Sequence, residues 1–363
     1  MKVMTVLGTR PEIIRLSLII TKLDRYCDHT LVHTGQNFDK SLNDIFFQDL
    51  GIRKPDNSLL VHGETFAEQI GKIFIESDRV IRKVEPDALL ILGDTNSGLV
   101  SFVARRYGIP TFHMEAGNRC YDDRVPEEVN RRVIDHCSTL LLPYTERSKE
   151  NLIREGISRE RIYVIGNPIF EVLQQYSESI RQSPVLEKLR LKKQNYFLVT
   201  MHRTENVDVE ERLQKLVEAL EKLQGEYDCP VICSLHPRTR SKMQQYKLEI
   251  HNPEIHLLTP LGFFDFVKLE QAAFCVLTDS GTVQEECCIF HVPNLTIRDT
   301  TERPETIECG SNMLTGVDPE RILDAVHITL QEKQEWTAPP EYTTHNVSSK
   351  VVKIVLGYHR EHQ

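Results

Sequence analysis

Short apolar segments that stop abruptly at polar turns recur along this chain, and a stretch with helical spacing follows most of them. Residues 2–7, 30–34, 88–92, 111–115, 139–142 and 161–165 read as buried strands, with helical patterns at roughly 64–83, 97–107, 127–137 and 145–155. Strands apolar on both faces and separated by helix-length segments imply right-handed βαβ units and a parallel sheet covered on both sides. Pro11 stands where a helix should begin, running to about residue 26 with Ile14, Leu18 and Leu23 on its apolar stripe.

After Gly166-Asn167-Pro168 the chain turns charged, through Lys188, Arg190, Lys192 and Lys193, in a stretch that reads as a linker or an exposed helix. The alternation then restarts, with strands at 196–200, 231–235, 256–258, 275–278 and 295–297. A chain of 363 residues, 40% hydrophobic, is too long for one core and divides into two doubly wound domains. The first covers 1–170 and the second 171–344. A terminal helix at about 345–363, with Val347, Val351, Ile354 and Val355 at helical spacing, is expected to return to the first domain.

Composition narrows the class of partner. A formal net charge of −9 argues against a nucleic-acid polymer, while a local basic pocket for an anionic ligand remains compatible with it. No apolar run approaches the ~20 residues of a membrane span. The first seven residues read as a strand rather than a leader, so a cytoplasmic location is expected. Nine cysteines occur without a CxxC pair, and Cys287-Cys288 are adjacent within an apolar helical pattern, which fits reduced thiols.

Parallel sheets bind ligands at the carboxyl ends of their strands, so charged clusters there in two halves suggest one substrate in an enzyme cleft. Gly8-Thr9-Arg10-Pro11-Glu12 lies between a strand and a helix N-terminus, where amide N–H groups favour an anion and Arg10 and Arg15 add two cations. A plain solvated helix start would look the same. Asp94 and Glu115 follow consecutive strands, and Glu127 opens the next helix. Converging carboxylates shift one another's proton affinity, which is how a fold obtains a general acid and a general base.

His202 and His236 end two consecutive strands of the second half, without the HxxxH or HxH spacing of a metal site. Phosphate or hydroxyl contacts suit them better than a metal, and a structural role for His236 is the further alternative. Asp279-Ser280-Gly281-Thr282-Val283-Gln284-Glu285-Glu286 carries the strongest signal. The Ser280 hydroxyl and successive amides of a helix start can hold a diphosphate without Mg²⁺, and one of Glu285 and Glu286 can accept both ribose hydroxyls. Walker A, GxGxxG and GxSxG patterns are all missing from the sequence.

Taken together, residues 8–12, 93–95, 115–117, 126–131, His202-Arg203, 279–286 and 298–305 closely resemble the non-hydrolysing UDP-N-acetylglucosamine 2-epimerase family, in order and spacing, from about residue 3 to 315. The resemblance implies a GT-B-like α/β fold of two Rossmann-like, doubly wound parallel-sheet domains with an interdomain cleft. It also implies a homodimer, a UDP-sugar substrate and no cofactor. In that family UDP is eliminated to leave a 2-acetamidoglucal, and re-addition to the opposite face inverts C2. By resemblance Asp94, Glu115 and Glu127 carry acid–base work, and His202 supports the leaving diphosphate or the sugar. Arg10, Ser280, Gly281 and Glu286 would bind UDP, with Arg15 in place of the family's usual lysine. Arg131, His236, Thr282 and Arg303 complete the implied substrate contacts.

Some positions depart from the family's commonest pattern. Asn96-Ser97 replace Thr-Thr, Asn118 replaces Leu, and Thr282 replaces the second glycine of a pair. These variants look like relatives that form UDP-N-acetyl-L-fucosamine or act on 2,3-diacetamido-glucuronate, so the sugar stays open. Gln36-Asn37-Phe38-Asp39 matches the bacterial allosteric segment only at its first residue, and weak or absent substrate activation is expected. The competing readings are a hydrolysing relative that releases UDP and N-acetylmannosamine, a GT-B glycosyltransferase, and a non-catalytic nucleotide-sugar-binding module.

Overall fold

The computed structural model describes residues 1–35, 40–61, 63, 65–332 and 335–358, with backbone alone at 40–44. The segment Gln36-Asn37-Phe38-Asp39, which carries the expectation about substrate activation, lies outside the described residues, as do positions 359–363 of the terminal helix pattern.

The chain forms two compact units. One takes the chain up to Gln174 together with the stretch from Glu341 onward, and the other is Gln175–Pro340. The first sheet contains β1 (Lys2–Leu7), β2 (Asp28–His33), β3 (Asn57–Ser58), β4 (Ala88–Leu92), β5 (Thr111–Met114) and β6 (Leu140–Leu142), in the order β3-β2-β1-β4-β5-β6. The second contains β7 (Phe197–Met201), β8 (Val231–Leu235), β9 (Ile255–Leu258), β10 (Cys275–Thr278), β11 (Asn294–Thr296) and β12 (Asn312–Leu314), in the order β12-β11-β10-β7-β8-β9. Every pairing in both sheets is parallel. Counted within its own unit, each sheet runs 3-2-1-4-5-6, so the order reverses between β1 and β4 and again between β7 and β10. Ligands of open α/β sheets bind outside the carboxyl ends at such reversals.

Side-chain alternation explains why these strands are apolar throughout. In β7, Phe197, Val199 and Met201 pack with Leu213, Leu216 and Leu220 of the helix Glu210–Tyr227. Leu198 points the other way, into a layer with Leu269 and Cys287. Each such side chain contributes about 1.5–3 kcal/mol on full burial. The terminal helix Val347–Leu356 packs on the helix Arg10–Tyr26 of the first unit. There Lys22 Nζ donates to Ser348 Oγ (2.6 Å) and Ser349 Oγ (2.7 Å).

Three expectations differ from the observed elements. Residues 161–165 form no strand: Arg159–Arg161 is a 3₁₀ turn, and Ile162 makes one isolated parallel bridge to Leu141. Its neighbour β6 is three residues long, which leaves little ladder to extend. β3 and β12 escape detection because two or three residues carry no period. The stretch near 188–193 is not a free linker: Lys188, Arg190, Lys192 and Lys193 are exposed, as expected, at and beyond the end of the short helix Val185–Lys188, but Leu189 and Leu191 pack against the second core. No helix among the described residues is long and apolar enough to cross a membrane.

Candidate active site

In the first unit the turn after β1 is closed by its own carboxylate. The Gly8 and Thr9 N–H groups donate to Glu12 Oε2 at 2.6 and 2.7 Å, and the Thr95 hydroxyl donates to Oε1 at 2.7 Å. Two amides expected to meet an external anion are therefore already occupied, by the capping-box reach of Glu12 to the helix start. Burial pushes the Glu12 carboxyl up to about 7, against the pull of these donors. Arg10 stays partly exposed, its guanidinium 5.9 Å from the Phe46 ring.

The ladders of β4 and β5 continue past the strand ends, through Gly93 N–H to Met114 O (3.0 Å) and Glu115 N–H to Leu142 O (3.1 Å). Asp94 and Glu115 thus leave neighbouring strands. Asp94 Oδ2 accepts from Arg131 Nε at 2.8 Å and lies 2.5 Å from its Nη2, while Glu115 pairs with the buried Arg15. Arg15 in turn stands 5.6 Å from the Tyr144 ring. A charged carboxylate is the partner that a buried guanidinium requires. Glu115 also has φ +65°, in the left-handed region that non-glycine residues seldom enter and that clusters at functional sites.

The two glutamates that open the helix Pro126–Cys137 divide in role. Glu127 is half-buried, whereas Glu128 is fully buried and accepts from the Cys120 and Tyr121 amides and from Arg131. Behind the loops lies a buried network that sequence reasoning missed. His113 bridges Asp135 Oδ1 and Gly93 O, each at 2.8 Å, and Asp135 also receives Arg119 at 2.7 Å and the Gly117 amide at 3.2 Å. Burial alone would raise the Asp135 carboxyl, but His113 and Arg119 hold it below its ordinary value. The network anchors the backbone on which Asp94 and Glu115 sit.

In the second unit the turns after β7 and β10 meet at Asp279. Its carboxylate accepts from the amides of His202 (2.8 Å) and Arg203 (2.9 Å) and lies 3.0 Å from His202 Nδ1. Burial would raise it, yet the His202 ring and the two amides bring it down to about 2. Asp279 stands inside the motif read from the sequence, but only the pairing of β7 with β10 shows what it holds. His202 remains partly exposed, with its ring centroid 6.1 Å from that of His236.

His236 caps the helix Pro237–Gln245, its Nδ1 accepting from the Arg238 amide at 3.2 Å. Ser280 occupies the N-cap position of the helix Gly281–Phe290 without a side-chain capping hydrogen bond, and Thr282 is half-buried in the first turn. A Cβ at Gly281 would lie 3.3 Å from the Arg303 guanidinium carbon, so glycine lets that arginine close onto the helix start. Arg303 pairs with Glu285, and this separates the two glutamates that sequence left as alternatives. Arg298 is buried and paired with Glu302 and Glu205. Among the described residues, no group of three or more His, Cys, Asp or Glu is placed to hold a metal ion.

A family model described as UDP-N-acetylglucosamine 2-epimerase matches residues 21–356. A UDP-N-acetylglucosamine 2-epimerase of Methanocaldococcus jannaschii is 41% identical, over 93% of this chain and 95% of that protein. A UDP-2,3-diacetamido-2,3-dideoxy-D-glucuronate 2-epimerase of Pseudomonas aeruginosa is 35% identical, over 91% of this chain and 92% of that protein. The crystal structure of the M. jannaschii UDP-GlcNAc 2-epimerase in complex with UDP-GlcNAc and UDP is similar at a TM-score of 0.94 and 40% identity, covering 99% of this chain and all of that one (100%).

Proposed function

The chain belongs to the UDP-N-acetylglucosamine 2-epimerase family, and we propose that Asp94, Glu115, Glu127 and His202 carry its chemistry on UDP-GlcNAc. It is an isomerase of GT-B-like α/β fold that inverts C2 of a UDP-2-acetamido sugar. In the proposed path a carboxylate of the first unit takes the C2 proton as the C1–O bond to UDP breaks, leaving a 2-acetamidoglucal and UDP. UDP then adds back to C1 while a proton returns to the opposite face of C2. The sequence is redox-neutral and needs no external electron carrier. Positioned proton transfer supplies about 10²–10⁴-fold, and stabilisation of the departing diphosphate adds to it.

UDP is assigned to Arg10, Ser280, Gly281, Thr282, Arg303 and His236, with the ribose hydroxyls on Glu286. Arg15 and Arg131 keep the two carboxylates charged and oriented as they meet the sugar. The sugar-transforming domain is the first unit with its returning terminal helix, and the UDP-binding domain is the second.

A homodimer is part of the proposal, supported by a run of exposed apolar side chains on three neighbouring helices of the first unit. Phe66, Phe102, Val129 and Val133 are all exposed there, and Phe74 stacks on Phe102 at 5.7 Å. A cytoplasmic location agrees with nine cysteines free of any disulfide-scaffold spacing. The product would feed surface polysaccharide synthesis.

The observation that carries the reading is the pairing of Asp94 and Glu115, at the ends of adjacent strands, each with a buried arginine. A glycosyltransferase has no need of two charged carboxylates at the sugar. Proton NMR of UDP-GlcNAc with the protein in D₂O tests it, with deuterium expected at C2 and UDP-ManNAc appearing. Free UDP with N-acetylmannosamine would transfer the chain to the hydrolysing reaction. No turnover of UDP-GlcNAc, with turnover of UDP-2,3-diacetamido-glucuronate, would replace the substrate and keep the chemistry.

A further inference from the structure

Glu270 takes no part in the reaction described above, yet it is a fully buried carboxyl beside the nucleotide-binding helix. It lies on the helix Phe263–Ala272, whose Leu269 and Ala272 pack in one apolar layer with Val283 and Cys287 of the helix Gly281–Phe290. Its carboxyl is within hydrogen-bonding reach of that of Glu286, itself only 3% exposed. Little else satisfies it: Cys287 Sγ is 3.8 Å from Oε1, and Oε2 meets no donor. The nearby Tyr196 hydroxyl already donates to Leu269 O at 2.6 Å.

Two carboxylates in contact and away from water cannot both be ionised, so the pair holds a proton. Oε2 of Glu270 meets no donor, so the proton sits there, and burial and the neighbouring Glu286 both raise the Glu270 carboxyl. Glu285 is not an alternative member of the pair, because Arg303 holds it.

We propose that Glu270 is a positioning residue that, as a neutral acid, donates a hydrogen bond to the Glu286 carboxylate and fixes the orientation in which it accepts the two ribose hydroxyls of UDP. This rests on the assignment of Glu286 to the ribose. A carboxylate can accept two hydroxyls at once only if its plane is fixed, and one donated hydrogen bond on its buried side fixes it while leaving its charge in place. Glu270 thereby sets the preference of the site for a ribonucleotide over a 2′-deoxyribonucleotide without touching either.

Calorimetric titration of the full chain with UDP and with 2′-deoxy-UDP tests this in wild type, Glu286→Gln, Glu270→Gln and Glu270→Met. The wild type is expected to prefer UDP by about tenfold or more, a charge-assisted hydrogen bond's worth, and Glu286→Gln to abolish the preference. Glu270→Met, of similar volume but without a donor, should lose most of the preference, and Glu270→Gln, whose amide still donates, should keep it. Wild-type preference in Glu270→Met, or equal loss in both Glu270 variants, overturns the positioning role.

A wild type that binds both nucleotides equally overturns the ribose assignment of Glu286 instead. Infrared spectra guard against a misfolded methionine variant. The wild type should show the carbonyl stretch of a buried protonated acid that Glu270→Gln lacks, and its absence from the wild type overturns the proposal.

Discussion

Asp279 shows how one buried charge organises a site. It is fully buried and charged, which is tolerable because two backbone amides, the Asn206 side chain and the His202 ring surround it. Its carboxyl sits near 2 in the folded chain against an ordinary value near 3.8. A depressed carboxyl contributes stability that is present above its ordinary value and lost as pH falls through the folded one. The contribution is on the order of 2 kcal/mol and disappears between about pH 4 and pH 2. Asp279→Asn should flatten this acid limb in urea unfolding followed by circular dichroism, and should lower kcat about 10²-fold by releasing His202. Unchanged turnover would remove His202 from the chemistry. Asp94→Asn should keep UDP affinity while kcat falls by roughly 10²–10⁴-fold, measured by titration beside NMR turnover.

At the scale of elements, the turn after β1 and the loop after β5 are each held by one residue. Glu12 closes the start of the helix Arg10–Tyr26, with its carboxyl raised to about 7 by burial. A raised carboxyl contributes stability that is complete below its ordinary value and lost as pH rises through the folded one. The melting temperature of the wild type should therefore decline between about pH 4.5 and pH 7 relative to that of Glu12→Gln, whose curve should be flatter there. Parallel curves would show that the donors on Glu12 outweigh its burial.

Gly117 has φ +79°, and a Cβ there would lie 2.2 Å from Ser148 O. Gly117→Ala should cost about 3 kcal/mol or more in denaturant unfolding, because the loop can relieve the clash only by leaving the helix Glu146–Arg154. In the sequence, Gly117 is merely one glycine of a motif. The carbonyl that makes it necessary lies thirty-one residues further along the chain.

For the whole molecule, the exposed apolar side chains of the first unit provide the test of assembly. Phe102 is 47% exposed and stacked on Phe74, so Phe102→Glu should leave the fold intact and convert a dimer to a monomer in light scattering. Equal masses for variant and wild type would place the contact elsewhere.

How much was legible differs between fold and site. The fold class followed from β1, β4, β7 and β10, because strands buried on both faces must be apolar throughout and helix-length spacers force parallel pairing. The polar turns at their ends were equally visible. What holds those turns was not: the resemblance chose Glu127 over Glu128 and Glu286 over Glu285, but nothing in the residues themselves says what the unchosen member of each pair does. The folded chain supplies that, through the amides of Cys120 and Tyr121 on Glu128 and the guanidinium of Arg303 on Glu285.

The sequence by itself thus determined which segments are strands of a parallel sheet and which turns carry charge, because periodicity and burial act over a few residues. The tertiary structure alone decided which charges meet: Arg15 with Glu115, Arg131 with Asp94, His202 with Asp279, and Glu270 with Glu286. Such partners are chosen by strand order and helix packing across long separations. A buried charge or proton takes its identity from whichever group the fold sets against it.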